Sequence, residues 1–186
     1  MLPIYVMMDT MSILRLIQRK LNSSPEHSIE TETVRKITQA LDKLDPGRAK
    51  YIAAFAYLLG RVARADMSIS PEETELMERI IMERGGMPEE QAILVIQIAK
   101  TQNTLFGGTE NYLVSREFNS ISNHEERMIL LDCLFAVAAA DKSIATIEDN
   151  EISQIADELK IEHRDFITAR SKYREWLAVL KDSIKH

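Results

Sequence analysis

Five carboxylates have the residue type and spacing to do chemistry in this chain: Asp66, Glu73, Asp141, Glu148 and Glu151. Asp66 and Glu73 lie in the stretch Ala63 to Glu73. Asp141, Glu148 and Glu151 lie in a similar stretch seventy-five positions later, after Ala138, Ala139 and Ala140. Each stretch closes an apolar helical pattern and opens a glutamate-rich one. An aspartate at a helix C-terminus is disfavoured by the macrodipole, although a turn aspartate can accept from nearby backbone amides. If the two corners converge, carboxylates roughly 5 Å apart at an effective dielectric of ~20 repel by about 3 kcal/mol. Such a cluster raises its pKa values, finds basic partners or recruits a cation. No Cys or His accompanies it, so the oxygen donors favour calcium, magnesium or manganese over zinc. The structural alternative stands beside this one: Glu72 and Glu73 suit a helix start, and Asp66 and Asp141 suit turns. Neither corner is an EF-hand, which needs alternating oxygen ligands and a central glycine.

The elements that must position these residues are helical. Helix formers dominate a composition of 45% hydrophobic and 28% charged residues, and no period-2 strand pattern occurs, so an all-α fold without a sheet is expected. The pattern divides into residues 1–28, an N-terminal helix and linker, and residues 29–186, one helical domain of about seven to nine helices. Thr10 to Leu21 is the first helical pattern. Further helices are expected over Glu30–Leu44, Arg48–Asp66, from Ser70 and Pro71 to Gly85, from Pro88, from Thr109, from Asn123 to Ala140, over Ile147–Leu159 and over His163–Leu180. Ser70 or Asn123 at the N-cap and Pro71 at the first turn are strong helix starts. Gly85-Gly86 and Gly107-Gly108 are helix stops.

The two corners match in their apolar context. At an offset of seventy-five, Phe55 aligns with Leu130, Leu58 with Cys133, Leu59 with Leu134 and Val62 with Val137. Beyond Glu73, matching Leu76 to Ile152 requires one extra residue in the second copy, which leaves open which glutamates correspond.

These residues carry a resemblance. Ala65 to Glu73 and Ala139 to Ile144, each closing an Ala-rich helix and opening a Glu-rich one, resemble the duplicated motif of the TerB-like tellurite-resistance family. Leu134 to Asp141 is the closest wording, and the likeness runs from about Glu30 to Leu180. It implies a compact all-helical fold with an internal pseudo-two-fold. It also implies acidic residues of both copies around a shared divalent-metal site. A glycine often follows the motif aspartate in that family; here Met67 and Lys142 stand there.

Other functions find little support. A net charge of −6 opposes general nucleic-acid binding. His27, His124, His163 and His186 are scattered, and no Ser-His-Asp or Cys-His pairing can be argued, so no enzyme is expected. Cys133 is the one cysteine, which excludes an intramolecular disulfide and points to a reducing, cytoplasmic setting. No apolar run reaches the roughly 20 residues of a membrane span. The first helix, with Arg15, Arg19 and Lys20, has limited capacity for peripheral membrane contact. The resulting expectation is a stress-related binding module that holds a divalent cation. Its alternative is a non-catalytic scaffold for a protein partner, with the acidic corners structural.

Overall fold

A computed structural model describes residues 29–63, 71–105 and 111–179. Within them lie eight helices: α1 (Ile29–Leu41), α2 (Pro46–Ala63), α3 (Pro71–Glu83), α4 (Glu89–Leu105), α5 (Asn111–Ile121), α6 (His124–Ala138), α7 (Thr146–Glu158) and α8 (His163–Ser171). A 3-10 turn follows at Arg174–Trp176. The fold is all-α, as expected, and the one β-type feature among the described residues is an isolated bridge between Ile144 and Leu177. No described helix is long and apolar enough to cross a membrane. The helix expected at Thr10–Leu21 and the starts expected at Ser70 and Thr109 lie outside the described residues, as does the Gly107-Gly108 stop.

α2 is the central element. It is apolar around nearly its whole circumference, and Ile52, Ala53, Ala54, Phe55, Ala56, Leu58 and Leu59 are fully buried. An all-round apolar helix must be enclosed, and α4, α5, α6 and α7 pack around it. Its alanines let those neighbours approach, while Tyr51, Phe55 and Phe118 form a ring cluster with centroids 5.3 to 6.4 Å apart. Each such side chain contributes roughly 1.5–3 kcal/mol by burial. α6 is the second enclosed helix. Asn123 caps it with a full box, accepting from the Glu126 amide while Glu126 accepts from the Asn123 amide.

The helix–corner–helix outline recurs. Ala63 and Ala138 end α2 and α6, Pro71 and Thr146 start α3 and α7, and Glu83 and Glu158 end them, each pair seventy-five residues apart. The extra residue expected in the second stretch is not seen. Met77, Ile80 and Ile81 of α3 are buried where Ile152, Ile155 and Ala156 of α7 are buried, and Leu76 is only partly buried. In that register Glu73 corresponds to Glu148, and Glu151 corresponds to Leu76 rather than to a glutamate.

The last helix is shorter than its apolar pattern suggests. α8 stops at Ser171, and the Trp176 carbonyl accepts from the Ile144 amide at 2.7 Å while the Ala178 amide donates to Ile144 at 3.0 Å. A helix continuing to Leu180 would use the Trp176 carbonyl within itself. Breaking it instead straps the chain across the α6–α7 corner.

Helix ends show two solutions to one problem. After α3, Gly86 adopts φ +62°, and a Cβ on Gly85 would lie 2.4 Å from the Ile81 carbonyl oxygen. After α7, Lys160 takes the left-handed position at φ 56°. There the Ile161 amide bonds to Ala156 and the Lys160 amide to Asp157, both at 3.0 Å, a Schellman ending. An L-residue there costs roughly 1–2 kcal/mol. Lys160→Gly is therefore expected to raise stability by about 1 kcal/mol and Tm by roughly 2–4 °C. A melting curve in which it lowers Tm would refute that account.

Candidate functional site

The acidic corners meet at one concavity. Glu73 and Met77 from α3, Ala63 at the end of α2, and Val137, Ala138, Ala140 and Asp141 from the end of α6 line a cavity of about 150 Å³. Ser143, Ala145, Ile147 and Glu148 close it from the start of α7. The position follows from packing: α3 lies against α6, and α7 lies against both α6 and α2. Three of the five carboxylates singled out by sequence thus share one cavity.

Local bonds orient two of them. The Asp141 carboxylate accepts from the Ser143 amide at 2.9 Å, closing an Asx-type turn. Ala145, at the N-cap of α7, has no side-chain oxygen, but Glu148 returns to accept from the Ala145 amide at 2.8 Å. Both arrangements are structural uses of the carboxylates, and both hold them at the rim. The following residue, Lys142, has φ 65°. That is the conformation a glycine adopts without penalty.

The other two residues fare differently. Asp66 lies outside the described residues. Glu151 is not among the cavity's lining residues; it is engaged by Arg61, whose Nε donates to it at 2.7 Å. Glu148 and Glu151 are three residues apart on α7, and the second is turned to the α2 side. Among the described residues, no three His, Cys, Asp or Glu side chains gather closely enough to hold a metal ion. The donor type around the cavity suits a hard cation, whereas the spacing of the described carboxylates does not build a closed coordination shell.

Arg61 is the residue that sequence reasoning missed. Its side chain is 3% exposed. Besides Glu151 it donates to Glu158 at 2.6 Å and to the Ser115 hydroxyl at 3.2 Å. Ser115, itself buried, donates to Glu158 in a short bond. Burial pushes the Glu158 carboxyl upward, but hydrogen bonds from Arg61, Ser115 and Gln154 overcome it and hold the group below its ordinary value of 4.5. Burial likewise works against the Arg61 charge, and its two carboxylates raise its pKa all the same. The available signal was that Arg61 is the one charged residue between Tyr51 and Ala63. A bidentate pair of Asp149 and Arg170, at 2.8 and 2.6 Å, ties α7 to α8 in a similar way.

Removing one partner of a buried ion pair leaves the others uncompensated. Arg61→Ala is expected to cost about 3–5 kcal/mol and lower Tm by roughly 10 °C; a loss under about 1 kcal/mol in a urea titration would refute the role given to it. Because the folded pKa of Glu158 is depressed, its contribution is complete above the ordinary value of 4.5 and fades as pH falls through the lower folded value. The Glu158→Gln variant is accordingly expected to lose less stability than the wild type as pH is taken from above 4.5 down to that lower value, measured by urea midpoints.

Comparison with known proteins comes to the same place as the corners. The family model described as tellurite resistance protein TerB matches residues 51–171. No curated protein and no solved structure matches the chain.

Proposed function

Because the chain belongs to the TerB family of tellurite-resistance proteins, we propose that it is a non-catalytic binding module whose acidic cavity accepts a cation, first of all a divalent ion. The observation that carries this is the placing of Glu73 from one corner with Asp141 and Glu148 from the other around one cavity. Carboxylates brought together from separate elements repel, and a cation relieves the repulsion. All the donors are oxygens, which selects calcium, magnesium or manganese over zinc. The ion is held through one or two carboxylates with water completing its shell, the mode that magnesium favours. Asp66, on the first corner, is the remaining candidate ligand. Glu151 is reserved for Arg61. The setting we assign is the cytoplasm under chemical stress, in keeping with the family and with Cys133, a single buried thiol pushed up to about 12 by desolvation and by Asp132 beside it.

A second reading draws on the apolar half of the same cavity. Met77, Val137 and Ala138 are buried in its wall, and Ile147 at its edge is 63% exposed. Apolar walls with an acidic rim suit a lysine or arginine side chain, whose stem packs while its charge meets the carboxylates. The cation then belongs to a protein partner, and the Asp141 and Glu148 turns serve chiefly to shape the dock.

Calorimetry separates the two. Calcium, magnesium and manganese chlorides are titrated into the wild type and into Glu73→Gln/Asp141→Asn, with a tetralysine peptide as a further titrant. Saturable heat for one of the ions, weakened about tenfold or more in the double variant, is the expected result. Heat with tetralysine alone transfers the cavity to the partner reading. An absence of heat for every titrant, with the helical circular dichroism intact, rejects both.

A further inference from the structure

A second cavity stands on the other side of the α6–α7 corner and has the opposite electrical character. It measures about 350 Å³ and is formed by the outer face of α3, the end of α6 and the C-terminal 3-10 turn. Its charged lining residues are Arg79, Arg84, Lys142 and Glu83, three cations to one carboxylate. In a chain of net charge −6 this is a local reversal of sign.

Partly buried Trp176 lines the cavity, packed on the buried ring of Tyr173. Tyr173 is buried, stacked on Phe135 at 5.4 Å and 18°, and Trp176 lies against Tyr173 with ring centroids 5.8 Å apart. Their placement is fixed from behind. The Tyr173 hydroxyl accepts from Arg84 at 2.7 Å and donates toward Asp132 at 3.1 Å. The Trp176 carbonyl is bonded to Ile144. Arg84 is aligned by the Asp132 carboxylate at 2.9 Å, while Lys172 approaches the same carboxylate at 3.6 Å. Asp132 is thus shared by two cations. Lys142 is delivered to this cavity by its left-handed backbone, directly after Asp141 has turned to the acidic one.

We infer that this cavity is a binding site for a small oxyanion carried on an aromatic ring, such as a phosphate monoester of a planar group or an aromatic carboxylate. Arg79, Arg84 and Lys142 provide charge-assisted hydrogen bonds to the anion. Trp176, only partly buried, provides a face for the ring, and the buried Tyr173 behind it holds Trp176 in place. Volumes of this order hold a small organic ligand. The site is separate from the cation cavity, and its test is independent of that reading.

Trp176 is the only tryptophan in the chain, so its fluorescence reports on this cavity alone. The probes are phenyl phosphate, inorganic phosphate and phenol. Phenyl phosphate is expected to change Trp176 emission saturably and to bind about tenfold more tightly than inorganic phosphate, because the ring adds its own contact. Arg79→Gln and Lys142→Gly are each expected to weaken it about tenfold, the loss of one charge-assisted hydrogen bond. Lys142→Gly also relieves a left-handed lysine, so it is expected to fold at least as well as the wild type, and weakened binding in it cannot be laid to unfolding. The inference is overturned if phenyl phosphate produces no saturable change in the wild type. It is equally overturned if affinity is unchanged in both variants, or if phenol produces the same change at the same concentrations.

Discussion

The buried guanidinium of Arg61 is the constraint on which the rest of the arrangement depends. A charge this enclosed must be met on every side, and its nitrogens meet Glu151, Glu158 and Ser115. Those partners come from α7 and α5, so one side chain of α2 fixes the rotation and height of two neighbours. Lysine has no equivalent geometry: a single ammonium cannot span two carboxylates and a hydroxyl as a planar fork does. Once Glu151 and Glu158 are turned toward α2, the start of α7 is placed too. Glu148 then lies at the rim of the acidic cavity instead of beside Glu151.

A second tie works in the opposite direction. Asp132 of α6 holds Arg84, which directly follows α3, and both engage Tyr173. Each enclosed helix therefore sends a charged residue from its apolar stretch, Arg61 or Asp132, to the outer helix of the other corner, α2 to α7 and α6 to the end of α3. The corners are cross-braced, and the two cavities lie where the braces bring the outer helices against the opposite helix ends. The braces use different chemistry at corresponding places. Counting seventy-five residues on from Arg61 gives Ala136, a small buried residue, and from Leu76 gives Glu151. Whatever similarity the two stretches have in outline, their polar interiors are not copies.

Much of this was legible from the chain. The apolar breadth of Ile52 to Leu59 announced an enclosed helix, and Asn123 and Pro71 announced helix starts; these signals are local, and the structure places helices there. The acidic rim was legible as residue types, since Glu73, Asp141 and Glu148 do share a cavity. Glu151 was not separable from them, because its partner stands ninety residues earlier and only the packing of α7 on α2 brings them together. The end of α8 was illegible for the same reason. The apolar spacing of Tyr173 and Leu177 continues a helical face, and it is the Ile144 backbone, on a distant loop, that draws the Trp176 carbonyl out of helical bonding. The basic cavity was hidden further still, because its cations come from α3 and the α6–α7 corner and its rings from the C-terminal turn.

Asp141 and Lys142 bring these threads to one point. Adjacent residues ordinarily diverge, but here the left-handed backbone at Lys142 directs two opposite charges into two different cavities. The turn itself is held by groups that do not depend on the Lys142 side chain: the Ser143 amide on Asp141, the Lys142 amide on Ala139, and Ile144 in its bridge to Leu177. A glycine at 142 would satisfy the backbone better. The residue at this position therefore bears on the charge of the second cavity. The strain of a left-handed lysine, roughly 1–2 kcal/mol, is small beside the cross-bracing that keeps the corner in place. It is also of the size that a single charge-assisted contact to a bound anion offsets.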